Sequence, residues 1–148
     1  MAIETKHDTT IISRIPPKKI LLVEDAPDLA DAMRTMLVML GHEVELAPDG
    51  KHGLRQFKTG KFDLVITDYS MPRMNGVELA EIIKQRSPAQ VILMVTAFTF
   101  TIAAYDGRPL PVDRILRKPF HPKEFNHTLT ELFPSKEKAA VEGDELVH

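Results

Sequence analysis

Hydrophobic positions along the chain switch between two periods. Ile20–Val23 is a short apolar run bounded by charge, the pattern of a strand buried on both faces of a parallel sheet. Leu29, Ala32, Met33, Met36, Leu37 and Leu40 then recur at steps of three and four, which marks one face of an amphipathic helix. Gly41 follows where a helix C′ residue belongs. Val44–Ala47 predicts a second strand, and residues 49–58 predict a short helix with Leu54 and Phe57 facing inward. Phe62–Thr67 is the most strand-like run, with Leu64, Val65 and Ile66 at its centre. Val77–Arg86 predicts a helix that Ser87-Pro88 ends. Val91–Val95 predicts a fourth strand, and Ile115 and Leu116 centre a fifth. Pro122 suits the first turn of a last helix, whose inward stripe is Phe125, Thr128, Leu129 and Leu132.

Strand–helix alternation of this kind predicts an α/β fold, a parallel sheet covered by helices on both faces, with right-handed crossovers. One stretch fits poorly. Residues 97–113, AFTFTIAAYDGRPLPVD, are rich in β-branched and aromatic side chains, and Gly107, Pro109 and Pro111 interrupt their second half. The fourth helix is therefore expected to be short or irregular. A single domain over 19–133 is expected. Residues 1–18 read as an extension, either a mobile arm or a segment that packs on the domain through Ile11, Ile12 and Ile15. Residues 134–148 are polar and charged and are expected to be a disordered tail.

Composition narrows the function classes. The 148 residues are 43% hydrophobic and 27% charged, with a net charge of −2 from 19 basic and 21 acidic side chains. That balance makes no electrostatic case for direct nucleic acid binding or for an anionic membrane. There is no cysteine, which excludes disulfides, thiolate chemistry and cysteine-based zinc sites. No apolar run approaches the roughly 20 residues needed to span a bilayer, and the N-terminus lacks a secretory core; a cytoplasmic location is expected. The six histidines show no metal-ligand spacing and read as incidental.

All strands of a parallel sheet end at one edge, and ligands bind beyond those ends where the strand order reverses. The residues that terminate each run therefore matter. The first run ends in Glu24 and Asp25, the third in Asp68, the fourth in Thr96 and the fifth in Lys118; Ala47-Pro48 after the second offers no reactive side chain. Clustered carboxylates repel and call for a cation. Oxygen donors suit a hard ion, and Mg²⁺ favours one or two carboxylates, several waters and a phosphate oxygen. Asp25 and Asp68 are the natural direct ligands, with Glu24 acting through water. Lys118 can pair with a phosphate oxygen, and the Thr96 hydroxyl can donate to another. One carboxylate then remains to react, and its attack on phosphorus would give an aspartyl phosphate. Asp68, central and followed by a loop with backbone groups to offer, is the choice. Taken singly each residue has a plainer explanation: a helix cap, a turn, a strand end. The set carries the argument.

The motifs ILLVED, VITDYSMPRMNG, VTA and KPF together resemble the receiver domain of bacterial two-component response regulators, over about Lys19 to Phe133. The resemblance implies a flavodoxin-like doubly wound (βα)5 fold with strand order 2-1-3-4-5. It implies that Asp68 accepts a phosphoryl group from a phosphohistidine on a sensor histidine kinase or phosphotransfer protein. It implies Mg²⁺ held by Glu24, Asp25, Asp68 and the backbone carbonyl of Ser70, and Lys118 paired with the phosphoryl group. Thr96 would turn toward that group and move the loop that begins at Ala97 and Phe98. The Lys118–Pro119 bond would be cis. Such a protein is not an enzyme beyond its own phosphorylation and dephosphorylation. It acts on a downstream protein or output domain and often dimerises.

Several readings stay open. The family commonly has Tyr or Phe three positions before the lysine, where this chain has Ile115, so signal transmission is expected to differ while phosphorylation is retained. Phe98, Phe100 and Tyr105 could line a partner surface or pack in the core. A phosphate-independent binding module of the same fold remains an alternative. An aspartate-nucleophile phosphatase is disfavoured, because Asp68-Tyr69-Ser70 lacks the second acid of D-x-D. P-loop and dinucleotide fingerprints are missing. The residues after Phe133 are too few for a helix-turn-helix module. Output would come from docking if the chain is whole, or from a separate domain if it is a fragment. In the family, the positions two beyond the acceptor and two beyond the threonine, Ser70 and Phe98 here, influence dephosphorylation. A bulky Phe98 should hinder the attacking water. Phe98→Ala should therefore shorten the lifetime of the phosphorylated protein, measured by intact mass over time; an unchanged decay would remove the steric explanation.

Overall fold

The structure, a computed structural model, describes residues 15–97 and 107–134. Its elements are β1 (Lys19–Val23), α1 (Pro27–Met39), β2 (Glu43–Ala47), α2 (Gly50–Thr59), β3 (Leu64–Asp68), α3 (Gly76–Arg86), β4 (Val91–Thr96), β5 (Arg114–Arg117) and α4 (Pro122–Leu132). The strands form one five-stranded sheet in the order β2-β1-β3-β4-β5, every pair parallel. Ile66 sits in register between Leu22 of β1 and Leu93 of β4, and Val95 pairs with Leu116 of β5.

Successive side chains of a strand point to opposite faces, and the core divides accordingly. Ile20, Leu22, Leu64, Ile66, Leu93 and Val95 pack with Met33 and Leu37 of α1 and Phe125 and Leu129 of α4. Leu21, Val23, Val65 and Ile92 pack with Phe57 of α2 and Leu79, Ala80 and Ile83 of α3. Among the described residues two helices thus cover each face, which is why the central runs are continuously apolar. This is the doubly wound order expected of the sequence.

Local signals start and stop the helices. Asp49 caps α2 by accepting the His52 backbone N–H at 2.8 Å. Asn75 and Glu78 form a reciprocal capping box at the start of α3. Gly41, at φ +97°, ends α1 in the left-handed region and donates its N–H to the Val38 carbonyl at 2.9 Å. Two details differ most from the sequence pattern, a buried position in α1 and the start of β3. Ala30, rather than Ala32, lies on the buried stripe of α1 with Met33 and Leu37. β3 begins at Leu64 rather than Phe62, because the Asp63 carboxylate accepts the Lys19 backbone N–H at 2.8 Å, a side chain standing in for the ladder.

Ile15 is buried in the larger core cluster, so the packed unit begins before β1. Ile11, Ile12 and residues 135–148 lie outside the described residues, as do 98–106, where most of the short or irregular fourth helix was expected. Residues 107–113 form a turn and bends that lead into β5. No helix among the described residues is long and apolar enough to cross a membrane.

His42 is not incidental. It is 4% exposed, and its Nδ1 accepts the Lys18 backbone N–H at 3.0 Å, joining the end of α1 to the approach of β1. An accepting nitrogen carries no proton, so the ring is neutral. Burial pushes its pKa below the ordinary 6.5, and the Lys18 charge acts the same way. The unfolded chain then takes up the proton first as pH falls. The stability that His42 contributes is full above 6.5 and is lost as pH falls through the folded value. The thermal midpoint should drop between about pH 7 and about pH 5 in the parent, and His42→Gln should flatten that slope. An equal slope in both proteins would assign the effect to other groups.

Candidate functional site

The strand order reverses at β1, which lies between β2 and β3. Beyond the carboxyl ends of β1 and β3 the fold therefore leaves a crevice. Glu24 and Asp25 follow β1, and Asp68 is the last residue of β3. Each offers one carboxylate oxygen, and the three atoms lie within 4.8 Å of one another. Glu24 and Asp68 are buried at 4% and 8% exposure, while Asp25 faces solvent. From the far side, Lys118 after β5 reaches in, its Nζ 3.3 Å from Glu24 Oε1 and 3.4 Å from Asp68 Oδ1.

Burial dominates the electrostatics. It raises the pKa of both Glu24 and Asp68, and each is raised further by a neighbouring carboxylate, Asp68 acting on Glu24 and Asp25 on Asp68. Hydrogen bonds and Lys118 pull the other way. The Ala26 N–H donates to Glu24 Oε2 at 3.2 Å, and the Tyr69 N–H donates to Asp68 Oδ1 at 2.8 Å. Three carboxylates against one ammonium leave an excess of negative charge and only oxygen donors. That set fits a hard divalent cation, with Asp25 open to solvent for its entry.

Backbone packing fixes Asp68 itself. All five residues of β3 are buried. The Thr67 hydroxyl donates to the Asp68 carbonyl at 2.8 Å, and the Gly76 N–H closes the following loop onto the Tyr69 carbonyl at 2.8 Å. A Cβ at Gly76 would collide with the Asp68 carbonyl oxygen, so only glycine lets α3 begin this close to the end of β3.

The other residues singled out in the sequence lie around this crevice or beside it. Thr96 is fully buried at the end of β4, and its carbonyl accepts the Lys118 N–H at 2.9 Å. Ser70 and Ala97 are exposed in the loops after β3 and β4. The Lys118–Pro119 bond is cis. Ile115 is 39% exposed on β5. Phe98, like Phe100 and Tyr105, lies outside the described residues. Sequence reasoning passed over the residues after the second strand. Asp49 Oδ2 lies 3.5 Å from the guanidinium of Arg73 in the loop after Asp68, and Gly50 packs against Met74. An Asp-Gly pair at the start of a helix, with Asp49 as cap and Gly50 as first residue, is the signal that could have drawn attention to that position.

A family model described as the response regulator receiver domain matches residues 20–130. The chain belongs to that family. This receiver is 32% identical over 127 residues to the alkaline phosphatase synthesis transcriptional regulatory protein PhoP of Bacillus subtilis, covering 86% of this chain and 53% of that protein. It is 32% identical over 106 residues to the transcriptional regulatory protein DltR of Streptococcus agalactiae, covering 72% of this chain and 47% of that one. The receiver thus spans about half the length of these relatives. Among solved structures, the chemotaxis protein CheY4 of Vibrio cholerae matches with a TM-score of 0.73 at 30% identity, over 80% of this chain and all (100%) of that one. The response regulator TrrA of Thermotoga maritima, in complex with Mg²⁺-BeF, matches with a TM-score of 0.72 at 28% identity, over 78% and 99%.

The charge balance of this receiver makes Lys118 testable. Carboxylates whose folded pKa is raised cost stability above their unfolded values, and that cost is relieved as pH falls. Removing the ammonium raises both further. Lys118→Met should lose about 2 kcal/mol at neutral pH, less than a fully buried pair because Nζ is partly exposed. The gap in thermal midpoint should close as pH falls toward the ordinary carboxylate values of 3.8 and 4.5. A gap independent of pH would mean that Lys118 acts through packing alone.

Proposed function

We propose that this receiver accepts a phosphoryl group on Asp68 from a phosphohistidine of a sensor histidine kinase or a phosphotransfer protein, and changes its partner-binding surface in response. The observation that carries the reading is the Asp68 carboxylate, held at the crevice between the ends of β1 and β3 with the Lys118 ammonium 3.4 Å away and two further carboxylates beside it. An Asp68 oxygen attacks phosphorus. A P–O bond forms as the P–N bond to the donor imidazole breaks, and the imidazole nitrogen keeps the electron pair and takes a proton from water. The attacking group must be ionised, which Lys118 and the Tyr69 N–H favour against the cost of burial.

The donor set supports Mg²⁺, with Asp25 and Asp68 as direct ligands, Ser70 through its carbonyl and Glu24 through water. Such an ion would neutralise charge on the phosphoryl oxygens. Lys118 can exchange its carboxylate partner for a phosphoryl oxygen, and the Thr96 hydroxyl can donate to another. The protein's own contribution is positioning and charge compensation, with no chemistry beyond its own phosphorylation and dephosphorylation. A cytoplasmic location goes with this reading, as the site of phosphotransfer from such a kinase. Its downstream target is a partner protein or an output domain.

Intact mass after incubation with Mg²⁺ and a small acyl phosphate tests the reading. A single phosphoryl gain is expected in the parent, abolished by EDTA and by Asp68→Asn. No gain in the parent from either an acyl phosphate or a phosphorylated histidine protein would overturn it in favour of a phosphate-independent binding module.

A further inference from the structure

The loop after Asp68 contains a strained residue with no part in the chemistry proposed above. Arg73 has φ +70°, in the left-handed region that a side chain disfavours. The Met74 N–H donates to the Pro72 carbonyl at 2.8 Å across it, a three-residue turn of the tight, positive-φ kind that is rare outside glycine. Such a conformation persists only where its surroundings hold it.

Two contacts hold it, both from the start of α2. Asp49 is buried at 8% exposure, and its two carboxylate oxygens face different partners; besides the contacts below, Oδ1 lies 2.9 Å from His52 Nδ1. Oδ1 accepts the His52 backbone N–H at 2.8 Å and caps the helix, while Oδ2 lies 3.5 Å from Arg73 Nη2. Beside it, Met74 is seated on Gly50. A Cβ at Gly50 would stand 2.9 Å from Met74 Sδ and 3.1 Å from Met74 Cβ. The sulfur could swing aside, but Met74 Cβ moves only with the loop backbone. The loop is therefore clamped at two successive residues, four and three positions beyond Ser70, while its other end is fixed by Asp68.

We propose that Asp49 is a positioning residue for the acceptor site: its second carboxylate oxygen holds Arg73 in the left-handed turn, and with Met74 on Gly50 this sets the loop that carries the Ser70 carbonyl. The inference rests on the reading of Asp25, Asp68 and Ser70 as the cation site, and it extends that site to an element that contributes no ligand. A plain capping role for Asp49 explains Oδ1 and leaves the Arg73 contact and the strained turn without a reason.

The two tasks of Asp49 separate by substitution. Asn caps a helix as well as Asp, so Asp49→Asn keeps the cap and removes the charge facing Arg73 and the His52 ring. Arg73→Gly removes the same contact from the other side and relieves the strained φ. The full chain and these variants are compared by thermal midpoint, by the Ser70 and Tyr69 amide shifts without metal, and by titration with Mg²⁺ alone. The expected result is a modestly lowered midpoint for Asp49→Asn, because His52 and Arg73 favour the charged carboxylate in the folded state, and an equal or higher one for Arg73→Gly. Both should show displaced Ser70 amide shifts and Mg²⁺ affinity weakened about threefold, as befits a pair with an exposed arginine. The double variant should be no weaker than Asp49→Asn alone, because the contact to Arg73 is already lost there. Unchanged shifts and affinity in both variants, or losses that multiply in the double variant, would overturn the proposal. A parent that binds no Mg²⁺ would overturn the cation site instead, and the metal-free shifts would still decide whether Asp49 positions the loop.

Discussion

Everything at the reactive edge depends on one ammonium standing between two buried carboxylates. Lys118 reaches Glu24 and Asp68 from the opposite side of the crevice, across 94 positions of sequence from Glu24. Without a cation there, burial and mutual repulsion would drive the acids toward their neutral forms. The geometry that delivers it is simple. Parallel strands share a direction, so β1, β3, β4 and β5 all release their chains at the same edge. Register then brings Thr96 opposite Arg117, one residue before the lysine. The sheet must be apolar on both faces to hold these ends rigidly, and the two core clusters supply that.

Most of this could be read from residue pattern because the fold leaves few choices. A continuous apolar run of four to six residues cannot be half-solvated, so β1, β3 and β4 were plain, and the residues ending them followed. Asp68, Glu24, Asp25 and Lys118 were visible as strand ends before any coordinate placed them together. Boundaries moved where a side chain replaced a backbone partner, as Asp63 does ahead of β3. Ala32 was misplaced because an alanine reads as apolar on either side of a helix, and only packing decides that Ala30 is the buried one.

What sequence missed shares a cause. His42 looked incidental because no spacing rule marks a histidine that merely accepts one backbone N–H. Asp49 was overlooked because the second strand ends in Ala47-Pro48, and the useful side chain stands two residues later. Its link to Arg73 joins positions 24 apart, through a loop whose left-handed turn no composition rule would place at an arginine. Contacts between loops leave little trace in periodicity, since neither partner belongs to a repeating face.

The far edge of the sheet carries a different consequence. β5 is only four residues long; Arg114, Ile115 and Arg117 are exposed and Leu116 alone is buried. An unpaired strand edge offers a ladder of backbone groups to any passing chain. Here Ile115, the exposed apolar residue of the strand, stands between Arg114, whose guanidinium lies 3.9 Å from Glu131, and Arg117, and two copies laid edge to edge would bring Arg117 of each close to the other's edge. Among the described residues β5 is the outermost strand, and charge beside it opposes extension into a continuous sheet shared between molecules, the route by which β-rich surfaces aggregate.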